Sequence, residues 1–404
     1  MKHDGRDLAD TIREITDRIA DRLIKIRRAI HRHPELGFEE FKTSALVSDY
    51  LEDTDIPHRT GVGKTGVVGL IEGVSDGPTV LVRGDMDALP LQEVSGLPFA
   101  SEVRGKMHAC GHDGHTAILL GVASVLNQLR DSFRGRVKLV FQPAEEGLMG
   151  AQAMVDDGVL ENPSVDCCIG FHNWPPLPAG TVGYHPSVAF SSSDPFDLVL
   201  SGVAGHAAHP HLSVDVVVAA GQFLNQLQTL VSREIAPVHC AVVSVSVIKG
   251  GTARNTLPDS VMLQGTVRTQ NSNVRETIKA AMRRLLEGLK VGMRIEYDLS
   301  FHDGVPMFEN DPETLRAVLT AVRAALGKKN VIELPEGSMG SEDFAIMSHQ
   351  HPRVHLRIGS KIDGYETALH RNNFNFNESA IPTGIRAVSH GTIAILQTAG
   401  GENG

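Results

Sequence analysis

The order of apolar segments is the feature that most constrains the fold of this chain. Amphipathic helices are predicted at residues 8–31 and 41–53, where apolar side chains recur at helical spacing. Short runs rich in β-branched residues and bounded by turn residues are typical of buried strands, and they occur at residues 66–71, 79–83 and 137–141. A helical run at residues 116–129 separates the last two. Strands that alternate with helices predict a doubly wound α/β sheet with functional side chains at its strand ends.

A second pattern begins after Trp174. Residues 186–194 are predicted to be a serine-rich connection. The segments after it are expected to be strand 195–200, helix 214–232, strand 241–248, strand 260–268, helix 274–290 and strand 293–299. This β-α-β-β-α-β order is typical of a ferredoxin-like domain.

The remaining chain resumes the first pattern. Its expected elements are helix 312–326, a Gly/Ser-rich loop at 337–341, strand 354–358 and a terminal helix from Thr383. At 404 residues, the chain is also too long for one ordinary domain. We therefore predict a small domain, residues 188–302, inserted into a larger domain of residues 1–187 and 303–404.

The net charge and the cysteine content indicate which partners and which cellular setting to expect. The formal net charge of −10 argues against nucleic acid or an anionic membrane as a partner. Residues 1–30 are charged and amphipathic, so neither a secretory signal nor a membrane span is predicted. Of the four cysteines, Cys167 and Cys168 are adjacent and cannot easily pair with each other. This pattern favours a reducing, cytoplasmic setting.

Residues 107–115 contain three histidines, one cysteine and one aspartate. Cys110 and His112 are two positions apart, so on a turn or helix start both can point toward one ion, and a thiolate can bridge two. A buried cysteine with ordinary hydrogen-bonded histidines is the alternative, and it would be favoured if this cluster stood alone. His108, Asp113 and His115 are assigned to loop hydrogen bonds that support the ligands.

Two adjacent acids form the next cluster. Glu145 and Glu146 follow the apolar run at residues 137–141, so both carboxylates leave the sheet at its C-terminal edge. Adjacent side chains diverge, and one carboxylate can hold a metal while the other exchanges a proton with the substrate. Two solvated acids at a helix start are the alternative, which is favoured for an isolated pair.

Further polar residues follow two other apolar runs. His172 is expected at the end of a strand, after residues 165–171, although a lone histidine there is more often structural than a ligand. Asp85 and Asp87 follow residues 79–83, and one of them can orient a ligand histidine. A polar loop with an aspartate-capped turn is the alternative.

Two clusters fall in the predicted inserted domain. His206 lies in a histidine-rich segment, and Arg254 and Asn255 lie in the segment that joins the two middle strands of the pattern. Neutral His206 and Asn255 are hydrogen-bond donors suited to polarising a carbonyl oxygen. Arg254 can pair with a substrate carboxylate, or it can be a solvated hairpin residue.

Together these motifs resemble the di-metal amidohydrolase and aminoacylase family, which includes hippurate hydrolases, indole-acetyl-amino-acid hydrolases and N-acetyl-amino-acid deacetylases. The resemblance runs nearly end to end, from His31-Arg32-His33-Pro34-Glu35-Leu36 to Leu369-His370. The pair Asp85 and Asp87 matches the hippurate hydrolase branch, whereas the wider family has His-x-Asp at that strand end. The residues after His370 depart from the Asn-Pro that the family usually has. The family fold agrees with an inserted lid domain.

The resemblance also implies roles for individual residues. Two divalent metal ions would be held by Cys110, His112, Glu146, His172 and His370. Glu145 would be the general base, and Asp87 would assist catalysis. His206 and Asn255 match lid positions that, in dimeric relatives, reach into the partner's site to stabilise the oxyanion.

The activity implied is metal-dependent hydrolysis of the amide bond of small N-acyl amino acids, such as hippurate or an N-acetyl amino acid. Manganese, zinc, cobalt and nickel all suit the ligands, and a cytoplasmic homodimer or higher homo-oligomer is expected by analogy. Hydrolysis of a dipeptide, an N-carbamoyl amino acid or an aminobenzoyl-glutamate is an alternative. A catalytically silent metal-binding protein is disfavoured because every proposed ligand is present. A structural zinc protein is disfavoured by the wide-spaced, carboxylate-rich ligands.

Overall fold

Helices and strands alternate along the first part of the chain, as the apolar pattern predicts. The structure is a computed structural model that describes residues 7–147 and 149–398. Within these residues the α-helices are α1 Leu8–Arg32, α2 Phe41–Asp53, α3 His112–Gln128, α4 Gly150–Asp156, α5 Val216–Thr229, α6 Ser272–Met293, α7 Pro312–Leu326, α8 Phe344–Ser348 and α9 Ala380–Thr398. The strands are β1 His58–Val62, β2 Gly66–Glu72, β3 Thr79–Asp85, β4 Arg136–Gln142, β5 Cys167–Pro178, β6 Val182–Tyr184, β7 Val188–Phe190, β8 Ser192–Ser201, β9 Gly205–His206, β10 Ala241–Gly250, β11 Thr256–Leu257, β12 Ser260–Thr269, β13 Glu296–Phe301, β14 Phe308–Glu309, β15 Val331–Glu333 and β16 Arg353–Lys361.

The first of two compact units is built on an eight-stranded sheet. It contains the chain up to Ser187, Glu309–Glu336 and the chain from Ile346 onward. The strand order is β1-β2-β4-β3-β5-β16-β6-β15, and the four central strands β4, β3, β5 and β16 are parallel. Because parallel strands end at the same edge of a sheet, side chains that follow them converge there.

Burial explains why apolar residues occur on both faces of the central strands. All seven residues of β3 are buried, and α3 is buried over most of its length because it packs on the sheet between α1 and α9. Parallel strands covered by helices lose contact with water on both faces. Each fully buried aliphatic side chain in this core contributes about 1.5–3 kcal/mol through removal of apolar surface from water.

The second unit contains Val188–Phe308 and Gly337–Ala345. Its four-stranded antiparallel sheet has the order β10-β12-β8-β13, with α5 and α6 packed on it around a core of its own. The helices begin at side-chain caps, Asp215 for α5 and Asn271 for α6. The β-α-β-β-α-β order is that of a ferredoxin-like domain. The predicted fold class, an α/β unit with an inserted ferredoxin-like unit, is confirmed.

Several element boundaries differ from the sequence predictions. The serine-rich connection contains β7 and the start of β8, and α9 begins at Ala380, three residues before Thr383. The last strand of the second unit begins at Glu296, because α6 continues to Met293 and ends where Arg294 adopts a left-handed conformation, with φ of 61°. Residues 303–308 and 337–345, expected in the larger domain, group with the second unit.

The prediction that His172 ends a strand is wrong. β5 runs from Cys167 to Pro178, so His172 lies inside it. The pairing of β5 with β3 ends at Gly170, whereas its pairing with β16 continues to Pro178. Beyond Gly170, β5 therefore has a neighbour on one side only, and the other side faces the sheet edge where β3 and β4 end.

None of the helices in the described part of the chain is both long and apolar enough to cross a membrane.

Candidate metal centre

The turn that carries Cys110 and His112 depends on a glycine. Gly111 lies between them with φ of 90°, a left-handed conformation that L side chains rarely adopt. A Cβ atom at this position would lie 2.3 Å from Nδ2 of Asn173. The turn brings the Cys110 thiol, which is 7% exposed, to the buried first residue of α3, His112.

Two groups of ligand atoms share the Cys110 sulfur. Cys110 with His112 and His172 forms one group, and Cys110 with Glu146 and His370 forms the other; within each, the ligand atoms lie within 4.8 Å of one another. Cys110 Sγ is 3.3 Å from His172 Nε2, and Glu146 Oε1 is 3.1 Å from His370 Nε2. Ligands about 2.0–2.3 Å from one ion lie roughly 3–4 Å apart in tetrahedral geometry, so these spacings fit metal ions.

Both buried histidines present Nε2 to the centre because their Nδ1 atoms are engaged elsewhere. Nδ1 of His172 donates to the carbonyl oxygen of Asn173 at 2.6 Å, and Nδ1 of His112 lies 3.1 Å from Asp87 Oδ1. Nε2 of His112 is buried and makes no hydrogen bond to any described residue. A neutral histidine whose Nδ1 donates to oxygen has a lone pair on Nε2, which is the form that binds a metal.

Asp87 links two of the proposed ligands. Besides contacting His112, its Oδ2 accepts the backbone N–H of Glu146 at 2.9 Å. Of Asp85, the last residue of β3, and Asp87, which follows the strand, Asp87 is therefore the one that orients a ligand histidine.

Asp85 belongs to a buried chain of hydrogen bonds behind the centre. Arg83 donates to its Oδ2 at 2.7 Å, and Nδ1 of His115 donates to its Oδ1 at 2.5 Å. Burial opposes ionisation of Asp85, but Arg83, His112 and His115 outweigh it and hold the pKa of this carboxyl well below its usual range. Nε2 of His115 accepts the backbone N–H of Asn173 at 2.8 Å, so His115 supports the segment next to His172.

The electrostatics of the ligand cluster favour a cation. Burial, and next the charge of Glu146, raise the pKa of the Cys110 thiol well above its usual value. The cluster thus places a buried thiol beside half-buried carboxylates, and such groups ionise together most readily beside a compensating positive charge. The residues present fit a divalent metal site on donor chemistry as well as on spacing.

The turn after β4 carries both glutamates. Ala144 has φ of 54°, and Glu145 and Glu146 follow it in the turn, where both side chains are half-buried. Carboxylate oxygens of Glu145 and Glu146 and a ring nitrogen of His112 lie within 4.8 Å of one another. Glu145 therefore lies beside the ligands, as the sequence predicts for a general base.

His370 reaches the centre from far along the chain. Its backbone N–H donates to the carbonyl oxygen of Ala109 at 2.8 Å, which ties the two ligand-bearing segments together. A hydrogen bond to Glu146 raises the pKa of the His370 imidazole. In all, the five predicted ligands and Glu145 converge in the first unit.

The other three predicted site residues lie in the second unit. β9 pairs with β11, and the N–H of Ala207 donates to the carbonyl oxygen of Asn255 at 3.0 Å, so His206 and Asn255 are neighbours. Nδ1 of His206 accepts the N–H of Ala208 at 3.1 Å, which leaves its Nε2 to donate. His206, Asn255 and Arg254 are all exposed.

The chain matches a known protein family over most of its length. The sequence signature described as "Peptidase family M20/M25/M40" matches residues 81–391. The chain belongs to this family. It is 39% identical to N-acetylcysteine deacetylase of Bacillus subtilis (strain 168) over 93% of this chain and 97% of that protein. It is 37% identical to IAA-amino acid hydrolase ILR1-like 2 of Arabidopsis thaliana over 93% of this chain and 85% of that protein.

A solved member of the M20 family has the same fold. It is described as a dinuclear metal binding peptidase of Bacillus subtilis and matches with a TM-score of 0.83 at 36% identity, over 95% of this chain and 99% of that one. The resemblance drawn from the motifs is therefore confirmed at the level of the family.

Sequence reasoning missed several residues that support this M20 centre. Arg83 and Asn173 give no local signal, because a buried polar residue looks the same in sequence as an exposed one. Arg27 and His31 both bond Asp113, which lies 86 and 82 residues further along the chain. The motif at residues 31–36 marked the region, but not the contacts made there.

Proposed function

We propose that this protein is a metal-dependent amidohydrolase that cleaves the amide bond of small N-acyl amino acids, releasing a carboxylic acid and a free amino acid. The observation that carries the proposal is the Cys110 sulfur shared by two ligand groups, with Glu145 beside them. Family membership supports it, as do relatives named as a deacetylase of N-acetylcysteine and a hydrolase of IAA-amino acids. N-acetyl amino acids and hippurate are the first substrates to test.

Two divalent metal ions per subunit are proposed, held by Cys110, His112, Glu146, His172 and His370. When bound, such ions polarise a carbonyl group and acidify water. A thiolate and imidazoles suit zinc, and the carboxylate also accepts manganese, cobalt or nickel. The printed description of a dinuclear relative supports the number of ions.

Glu145 is proposed to be the general base, which transfers a proton from water to the leaving nitrogen. Its carboxylate takes a proton from the water whose oxygen attacks the amide carbon, and it returns that proton to the nitrogen as the carbon–nitrogen bond breaks. Asp87 holds His112 and the N–H of Glu146, which keeps the neighbouring turn in place.

His206 and Asn255 are proposed to donate hydrogen bonds to the oxyanion that forms on the amide oxygen. Arg254 is proposed to pair with the substrate carboxylate. By family analogy, the protein is a homodimer or higher homo-oligomer in which these lid residues act in the partner's site. A cytoplasmic location is proposed because all four cysteines are free and three are buried.

Glu145→Gln tests the proposal directly. The amide cannot accept the proton, so we expect kcat for N-acetyl amino acids to fall by about 10²–10⁴-fold. Elemental analysis should find the wild-type metal content, because Glu145 is not a ligand. Glu146→Gln is the matched control, and it should lose metal along with activity. Retained turnover in Glu145→Gln would show that the general base has been misassigned.

A further inference from the structure

Glu40 is a buried carboxylate whose contacts lead to the turn that carries Glu145. The residue precedes α2 and is fully buried. Its Oε1 accepts the backbone N–H of Ala144 at 2.8 Å, and its Oε2 accepts the hydroxyl of Thr65 at 2.5 Å. No basic side chain in the described part of the chain pairs with it. Burial of an ionisable group without a cation is costly, and these two hydrogen bonds offset part of that cost.

Ala144 is the residue through which this contact acts. It is buried and has φ of 54°, a left-handed conformation that is unfavourable for alanine. The carbonyl oxygen of Ala144 accepts the N–H of Gly150 at 3.0 Å, so the residue is held on both sides. A Cβ atom at Gly150 would lie 1.7 Å from the Pro143 carbonyl oxygen, which shows how closely the chain folds back on itself.

Capping of α2 does not explain Glu40. Its side chain makes no cap hydrogen bond to this helix. Glu35 accepts the first N–H groups of the helix instead, from Lys42 at 3.0 Å and from Thr43 at 2.9 Å. The Glu40 side chain is thus committed to the Ala144 turn and to Thr65, 104 and 25 residues away along the chain.

We propose that Glu40 is a positioning residue for catalysis: it fixes the left-handed conformation of Ala144 and thereby aims the carboxylate of Glu145. The proposal rests on the proposed role of Glu145 as general base. Loss of the Glu40 acceptor leaves the buried N–H of Ala144 without a partner, which favours a different conformation of the turn. The carboxylate that follows is then displaced from the reacting atoms.

Glu40→Leu removes the acceptor at similar volume, and Glu40→Gln keeps an acceptor oxygen for Ala144 and a group that can bond Thr65. We expect the leucine variant to lower kcat by about 10–10²-fold, the range expected when a catalytic group moves by about 1 Å. Its KM and its metal content should stay within about twofold of wild type. Glu40→Gln should keep kcat within about threefold, since the hydrogen bond is retained.

Glu35→Leu is the matched control. It removes a carboxylate from the same segment and from the start of the same helix, but it does not touch the Ala144 turn. We expect a lower Tm with kcat unchanged. If Glu40→Leu does not fold, Thr65→Val removes the other partner of the carboxylate, and a smaller loss of kcat is expected.

Hydrogen exchange separates this proposal from the proposed function. The N–H of Ala144 should exchange faster in Glu40→Leu than in wild type, in Glu40→Gln or in Glu35→Leu. An unchanged kcat and an unchanged exchange rate in Glu40→Leu would overturn the proposal, and so would a loss of metal that parallels the loss of kcat. If the wild-type protein hydrolyses no N-acyl amino acid, the proposed function fails, and the exchange rates still decide whether Glu40 holds the turn.

Discussion

Cys110 Sγ is the atom common to both ligand groups at the candidate centre, and the thiol is buried beside His172 and Glu146. In the proposed centre, this shared ligand would couple the two metal sites, because its loss would remove one donor from each. The sequence suggested a thiolate that can bridge two metals, and the structure brings the sulfur within range of both groups. Loss of this one side chain is therefore expected to weaken the binding of both proposed ions.

Cys110→Ala should reduce the metal content below two ions per chain. Elemental analysis of the purified variant, after dialysis against metal-free buffer, measures this. Cys240→Ala is the control, since Cys240 is an exposed free thiol. Two ions per chain in Cys110→Ala would rule out the shared thiolate.

His390 is a residue at which acid should destabilise the fold. It is 8% exposed in α9, and burial lowers the pKa of its imidazole to about 4. The unfolded chain titrates near pH 6.5, so its His390 is protonated first as the pH falls. Burial of neutral His390 therefore contributes fully to the free energy of unfolding above about pH 6.5. This contribution, about 3 kcal/mol at most, is lost as the pH falls from about 6.5 to about 4.

His390→Leu should flatten this dependence. Urea unfolding of metal-free wild type and variant at pH 7.5 and pH 4.5 isolates the effect from protonation of the metal ligands. The variant should lose less stability between the two pH values than wild type does. Equal losses would show that His390 is not buried in its neutral form.

At the scale of elements, α1 supports the centre through a buried guanidinium. Nε of Arg27 donates to Asp113 Oδ2 at 2.7 Å, next to the ligand His112, and Nη1 donates to Glu378 Oε1 at 3.0 Å, in the segment after His370. The group is fully buried, between the rings of Phe99 and Phe376. Arg27 thus joins the two segments that carry ligands from opposite ends of the first unit's sequence.

Arg27→Lys should weaken metal binding, because an ammonium group cannot bond Asp113 and Glu378 in the fork geometry of a guanidinium. We expect a loss of about 10–100-fold in metal affinity, measured by competition with a chromogenic chelator. Arg28→Lys is a close control, since Arg28 also bonds Glu378 but is partly exposed and does not reach Asp113. Equal affinities in the two variants would contradict the role of Arg27.

Local patterns predicted most elements but not how they meet. The boundaries of α2 and α7 match the predicted residues, because apolar periodicity is a local signal. The short strands β1, β6 and β15 were not predicted, since they carry too few apolar residues to stand out. His172 was misplaced because the length of β5 depends on its pairing with β16, whose residues lie about 185 positions further along the chain.

The candidate site was predictable where motifs are compact. Cys110, His112, Glu145 and Glu146 were identified because metal-binding residues lie a few positions apart at predicted strand or helix ends. His370 came from the family resemblance. Glu40 and Arg27 were not identified, because their partners Ala144 and Asp113 are about 100 residues away along the chain. Only the folded chain brings such pairs together.

At the scale of the whole molecule, the chain forms two compact units, each with its own hydrophobic core. The proposed ligands and general base belong to the first unit, and His206, Asn255 and Arg254 belong to the second. In the proposed dimer, each active site would take its oxyanion donors from the partner subunit.

Complementation tests this arrangement. Co-expression of Glu145→Gln and His206→Ala chains should restore activity, because the heterodimer contains one site with an intact Glu145 and an intact His206 from the partner. Random pairing gives heterodimers in about half of the molecules, so about a quarter of wild-type activity is expected. Activity no higher than that of either variant alone would mean that His206 does not act across subunits.

Two metal ions and Glu145 are proposed to hydrolyse the amide bond of N-acyl amino acids. Titration of metal-free protein with manganese or zinc, with hydrolysis of N-acetylcysteine, N-acetylmethionine and hippurate followed at each step, tests this proposal. We expect no turnover without metal and a rise in turnover that saturates at two equivalents per chain. Full turnover by the metal-free protein, or no turnover of any of these substrates at two bound equivalents, would contradict it.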